Sequence, residues 1–225
     1  MGTLNTENPI PRGSAETGFT LRMPCLEAGS DRDNTTITGP VDLSWVEEFY
    51  DSLSLLSRDE VDRLVQMGVP ASALWHPMPL RAADIAWVAE GRFEFPHYLS
   101  CDTPRECALL FLVEDSGGAP LDIVAWAPST DRLASWLGYA WGLGEGTIFA
   151  PRLESEALPV WRSPLDWLRD GRRGVVLLKP QLAAQFLRDV GPLMAEDVEH
   201  GLELERQLTI AAPRIVVPAA SVRRA

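Results

Sequence analysis

The sequence predicts an α+β protein, with an N-terminal helical cluster, a central antiparallel meander and C-terminal alternating strands and helices. Three observations predict this class. Apolar residues between 44 and 66 recur at helical intervals behind two Ser-x-x-Glu signals. Two apolar, strand-length runs, 108–114 and 121–127, flank the turn sequence Asp115-Ser-Gly-Gly118. Beyond Gly138, short β-branched runs alternate with segments opened by proline.

Residues 1–40 are rich in Gly, Pro, Ser, Thr and Asn and lack apolar periodicity. Such a segment buries too little to offset its ordering entropy. It reads as a disordered N-terminal arm, with Cys25 an ordinary exposed thiol, ahead of a single globular domain over 41–217 and a loose tail over 218–225. Ser44 and Glu47 have capping-box spacing, with Leu43 as staple and Val46, Phe49, Tyr50 and Leu53 as the stripe. Ser57 and Glu60 start a second helix carrying Val61, Leu64 and Val65, and Gly68 stops it. Pro70 opens a third, short helix through Ala71, Leu74 and Trp75.

The segments 84–89 and 92–95 flank the two-residue turn Glu90-Gly91. Residues 108–114 and 121–127 pair across their turn, and Pro128 ends the second strand. Periodicity leaves 132–136 open between a third meander strand and the start of a helix. Further strands are expected at 147–150, 158–161, 174–179 and 215–217. Helices are expected at 165–169 behind Ser163 and Pro164, after Pro180 with Leu182, Phe186 and Leu187, and over 193–208. No fixed-period repeat is present.

Composition narrows the function classes. A chain of 225 residues with 46% hydrophobic and 23% charged residues buries a core without disulfide or metal staples. The net charge of −12 is uneven: residues 41–120 hold 14 acids against 5 bases, and residues 121–195 hold 8 of each. The first part repels nucleic acid and the second is neutral, so no strongly basic face is expected. Nineteen of the twenty basic residues are arginine, Lys179 being the exception. The chain starts without a basic and apolar leader, and its longest apolar run, Cys107–Val113, is far too short for a membrane span. With three scattered cysteines, these features place it in the reducing cytoplasm.

Four groups of residues carry candidate chemistry. Glu196, Glu199, His200 and Glu203 share one helical face with metal-ligand spacing. On the same wheel Met194, Val198 and Leu202 form the apolar stripe, which assigns the acids to the solvated face opposite the core. His97, Cys101 and Cys107, with His76 as a fourth, are zinc-type ligands without the usual Cys-x2-Cys knuckle, and Cys107 reads as a small core residue. Gly138, Gly142, Gly144 and Gly146 form a glycine-rich stretch with neither a phosphate-loop nor a dinucleotide signature, which reads as a flexible turn or a mobile lid. Finally, Trp161 and Trp167 interleave with Arg162, Arg169, Arg172 and Arg173, a combination able to stack on bases and grip phosphates. No nucleophile elbow, H-E-x-x-H or kinase motif is present, and no cofactor is implied.

Two stretches resemble a known group of sequences. They are Leu121-Asp-Ile-Val-Ala-Trp126-x-Pro128, continued by Arg132-Leu-Ala134 and Trp136-Leu-Gly138, and Leu158-Pro-Val-Trp161-Arg-Ser-Pro164-Leu-Asp-Trp167-Leu. Over roughly residues 108–217 they resemble an uncharacterised family encoded in prophage or phage-like regions of high-GC alphaproteobacteria. The resemblance implies a mobile-element context and transfers no catalytic residue.

These readings weigh against an enzyme. They favour a non-enzymatic binding or accessory protein of a mobile genetic element that engages a protein partner and no membrane. The alternatives are a nucleic-acid-associated factor, acting through the Arg and Trp residues above, and a metal-dependent hydrolase or nuclease.

Overall fold

The computed structural model describes residues 42–88, 91–96, 103–149 and 156–209. Cys25, His97, Cys101, the arm over 1–40 and the expected strand at 215–217 lie outside the described residues. By its contacts the chain divides after Pro40, and all that follows concerns the unit beginning at Val41. The described part is mixed α and β, as expected.

Three helices open it: α1 (Ser44–Ser52), α2 (Arg58–Gln66) and α3 (Ala71–Trp75). The start of α2 is the expected capping box. The Glu60 N–H donates to Ser57 Oγ at 3.3 Å, and the Ser57 N–H donates to Glu60 Oε2 at 2.6 Å. The start of α1 departs from expectation. Leu43 holds the cap position without a side-chain bond, and Asp42 Oδ1 accepts the Ser44 N–H at 3.0 Å.

A first sheet follows. Its strands are β1 (Ser54–Leu55), β2 (Arg81–Val88), β3 (Arg92–Glu94), β4 (Glu106–Glu114), β5 (Pro120–Ala127) and β6 (Arg132–Ser135). Residues 132–135 are therefore strand, the third of the meander β4–β5–β6. The expected hairpin β2–β3 forms, but Val88 lies opposite Arg92 and Trp87 opposite Phe93, a register that leaves three residues between the paired strands where two were expected. Three pairings were not foreseen. β1 pairs with β2, β2 pairs with β4, and β3 meets β6 in parallel through Arg92 and Ser135, so β2, β3, β6, β5 and β4 form a closed ring of pairings.

Both faces of this sheet are buried, which explains the continuous apolar run at β4. Ala108, Leu110, Ile123, Ala125, Ala134 and Trp136 face α1, packing with Val46 and Tyr50. Leu109, Phe111, Val113, Val124 and Trp126 face the other way, toward α2, α3 and the C-terminal half. Around the first core Phe49, Phe95 and Trp136 lie 4.8–4.9 Å from one another, the range of favourable ring contacts.

The C-terminal half builds a second sheet in the order β10-β8-β9-β7: β7 (Gly142–Leu143), β8 (Leu158–Trp161), β9 (Val175–Leu177) and β10 (Leu193–Met194). Helices α4 (Pro164–Arg169), α5 (Pro180–Leu187) and α6 (Val198–Leu208) connect and cover it. β8, β9 and β10 are parallel, with β9 on one side of β8 and β10 on the other. The expected cap of α4 is present, Ser163 Oγ accepting the Asp166 N–H at 3.2 Å.

Three expectations fail here. Residues 145–149 form a 3-10 helix in place of a strand at 147–150, because Gly144 turns the chain (φ 78°) and Thr147 Oγ1 donates back to its carbonyl at 2.7 Å. The expected helix over 193–208 is split into β10 and α6, since Asp197 accepts the His200 N–H at 2.7 Å and caps α6. The glycine-rich stretch is no loose lid. A Cβ at Gly142 would sit 2.5 Å from the Val176 carbonyl oxygen, so this backbone is pressed against β9.

Candidate functional site

Among the described residues, two places bear on the candidate chemistry. The first lies where the strand order of the second sheet reverses, beyond the carboxyl ends of β8 and β10. In open α/β sheets such reversals form crevices that hold ligands. Arg162 follows β8, and Glu196 and Asp197 follow β10. The Arg162 guanidinium donates to Asp197 through both terminal nitrogens, at 2.6 and 3.1 Å, and to Glu196 at 3.4 Å. Its backbone N–H donates to Glu196 at 2.8 Å, and Glu203 stands 3.9 Å from its Nε. The Arg162 guanidinium and the His200 N–H hold the Asp197 carboxyl down to about 2, and the same pairing raises Arg162. Arginine thus occupies the acidic crevice itself.

This placement answers two expectations made from sequence. The proposed metal ligands Glu196, Glu199, His200 and Glu203 do not converge. Glu196 and Glu203 turn toward Arg162, Glu199 is exposed, and His200 is buried at 3% exposure, its Nδ1 accepting the Glu196 N–H at 3.2 Å. Among the described residues no group of three His, Cys, Asp or Glu side chains is arranged to hold a metal. The orientation expected for α6 is also reversed. His200 and Leu204 face the core, while Met194, Val198 and Leu202 are 48%, 82% and 56% exposed. The helix carries a second apolar direction through Leu204 and Leu208, and packing on α5 selects that one.

The second place is a cavity of about 410 Å³ between the β4–β5 turn, Pro77–Met78, the 3-10 helix and the end of α4. Its lining includes Phe111, Glu145, Thr147, Trp167 and Arg172. Arg172 is only 8% exposed and sits in the left-handed backbone region (φ 64°). Its Nη1 donates to the Met78 carbonyl at 3.0 Å, and its guanidinium stands 5.9 and 5.8 Å from the Phe111 and Trp167 rings. Nε and Nη2 are buried without a hydrogen-bond partner. Burial pushes Arg172 down to about 10.

Glu145 borders the same cavity and accepts the N–H groups of Trp141 and Gly142 at 2.5 and 3.1 Å. Burial nevertheless raises its carboxyl to about 7. Behind it Asp122, fully buried, accepts the N–H groups of Ile123, Leu137, Tyr139 and Ala140 at 2.8–3.0 Å. Lys179 Nζ donates to the Gly138 carbonyl, and burial lowers its basicity. Three side chains therefore fix the backbone of 137–142. The sequence signal for Asp122 was a lone acid inside an apolar strand, and sequence reasoning passed over it.

The other candidates are dispersed. Cys107 is exposed, not a core residue: it shares the Leu109 face of β4 but lies near the start of the strand, where its neighbour is Glu60. Its thiol donates to Glu60 Oε1 at 3.7 Å, and burial together with Glu60 and Asp84 raises its pKa, the opposite of nucleophile activation. His76 is exposed at the end of α3. The proposed nucleic-acid residues are largely engaged internally. Arg162 holds acids, Arg169 bonds Asp166 and the Met67 carbonyl, and Arg173 bonds Asp170. Arg172 and Trp167 are buried, and the Trp161 indole donates to the Arg173 carbonyl at 2.8 Å. Together they present no free basic face.

No family model matches the chain, and neither a curated protein nor a solved structure matches it. Among the described residues no helix is long and apolar enough to cross a membrane.

Proposed function

We propose that this chain is a non-enzymatic binding protein that engages a protein partner through the outward face of α6, in an accessory role suited to a mobile element. One observation carries this reading: Val198 and Leu202, one turn apart on α6, are 82% and 56% exposed, and Met194 of the preceding strand is also exposed. Val198 is the most exposed of them, on a helix whose opposite face is buried. Neighbouring exposed apolar side chains on one helix face suit an interaction surface. Glu199 and Glu205 are exposed on the same helix, and the chain carries a net charge of −12. The complementary partner presents apolar anchors flanked by lysine or arginine. Dispersal of His76, Cys107 and the acids over separate parts of the fold supports binding over catalysis.

The test pairs wild type with Val198→Glu/Leu202→Glu in the native host. A partner that co-purifies at fixed stoichiometry with wild type and is lost from the equally stable double variant supports the reading. Retention by the variant, or a wild-type chain that purifies alone, defeats it. Self-association in sedimentation that the variant abolishes assigns the stripe to a second copy instead.

A further inference from the structure

The cavity at the junction of the two sheets holds an unsatisfied cation. Guanidinium presents five N–H donors in a rigid plane. In Arg172 one nitrogen bonds Met78, and Nε and Nη2 have no hydrogen-bond partner among the described residues, although the residue is more than nine-tenths buried. A buried charge without full hydrogen bonding is costly, and aromatic rings compensate only part of the loss. The residue also occupies a left-handed backbone position, which most side chains avoid. Two unfavourable features in one arginine single it out as a group with donors left over for a further contact.

The surroundings say what that contact is. The cavity of about 410 Å³ falls within the size range of small-molecule sites and lies between two packed halves, a common place for them. Phe111, Leu143, Trp167 and Met78 give it an apolar wall beside the guanidinium. Thr147 and the raised carboxyl of Glu145 offer polar contacts. Glu114 and Asp115 also border it and disfavour a bare, multiply charged anion.

We propose that this cavity binds a small molecule with an apolar body and a single oxyanion group, a carboxylate or phosphate, that pairs with Arg172. Paired nitrogens on one edge of a guanidinium match two oxygens of such a group. The site is separate from the stripe on α6, so either assignment stands or falls without the other.

Benzoate and phenyl phosphate serve as probes, and benzamide as the neutral isostere, in thermal-shift and calorimetric titrations of the full chain. Bound ligand raises Tm with concentration. The expected result is saturable binding of one or both anions, none of benzamide, and a loss of at least about tenfold on Arg172→Met, the scale of one charge-assisted contact. Which anion binds more tightly distinguishes a carboxylate from a phosphate ligand. Because Arg172 also ties Met78, a second variant leaves it untouched. At Gly146, on the cavity rim, an added Cβ meets nothing within 4 Å, and Gly146→Trp should obstruct the cavity without disturbing the fold. Binding that survives both substitutions, equal binding of benzamide, or no binding of either anion up to roughly 10 mM overturns the proposal.

Discussion

Asp122 and Glu145 show how single carboxylates hold this fold together. Asp122 accepts four backbone N–H groups in a fully buried setting. Asp122→Ala strands those donors, and urea unfolding should show a loss on the order of 4 kcal/mol. Glu145 gives a pH dependence of definite sign. Its carboxyl rises from 4.5 to about 7 on folding, so its contribution is fully present below pH 4.5 and is lost as pH climbs through about 7. Glu145→Gln retains an acceptor for Trp141 and Gly142 but cannot ionise. The variant should gain stability over wild type at pH 8, by on the order of 3 kcal/mol, and little at pH 4. Asp197 acts in the opposite direction. Its carboxyl falls from 3.8 to about 2 beside Arg162, so its support is present above pH 3.8 and disappears as pH drops through about 2. In acid titrations Arg162→Ala should unfold at higher pH than wild type.

At the scale of elements, local signals and packing divide the work. Ser57 with Glu60, Ser163 with Pro164, and the strands around Asp115–Gly118 were legible because short-range hydrogen bonds and turn chemistry decide them. Helix α6 was legible as a helix but not in its orientation. Its residues offer two apolar directions, and only contact with α5 and the pairing of Arg162 with Asp197 chooses between them. Leu204→Ala should therefore cost about 2–5 kcal/mol in denaturant unfolding. Leu202→Ala should stay within about 0.5 kcal/mol. The reverse ranking would restore the orientation expected from the wheel. Thr147 and Ile148 illustrate a second limit: β-branched residues suggested a strand, but a glycine turn and a hydroxyl bond made a 3-10 helix.

Across the whole molecule the two sheets share one core. Leu109, Phe111, Val113 and Trp126 from the first sheet pack with Leu143, Trp167, Leu168 and Val176 from the second half. Far-UV and tryptophan-fluorescence unfolding curves should coincide in one transition. Separate midpoints would mean that the halves fold independently. By itself the sequence determined the mixed class, the three opening helices, the meander and the alternation that follows, because periodicity and caps act within a few residues. Only the tertiary structure decided that the pairings close into a ring and that arginine fills the acidic crevice. It also decided which of the two apolar directions of α6 faces water and that Arg172 lies with unpartnered nitrogens beside a cavity. These outcomes depend on residues far apart in the chain, such as Arg172 and Met78, whose approach no local pattern encodes.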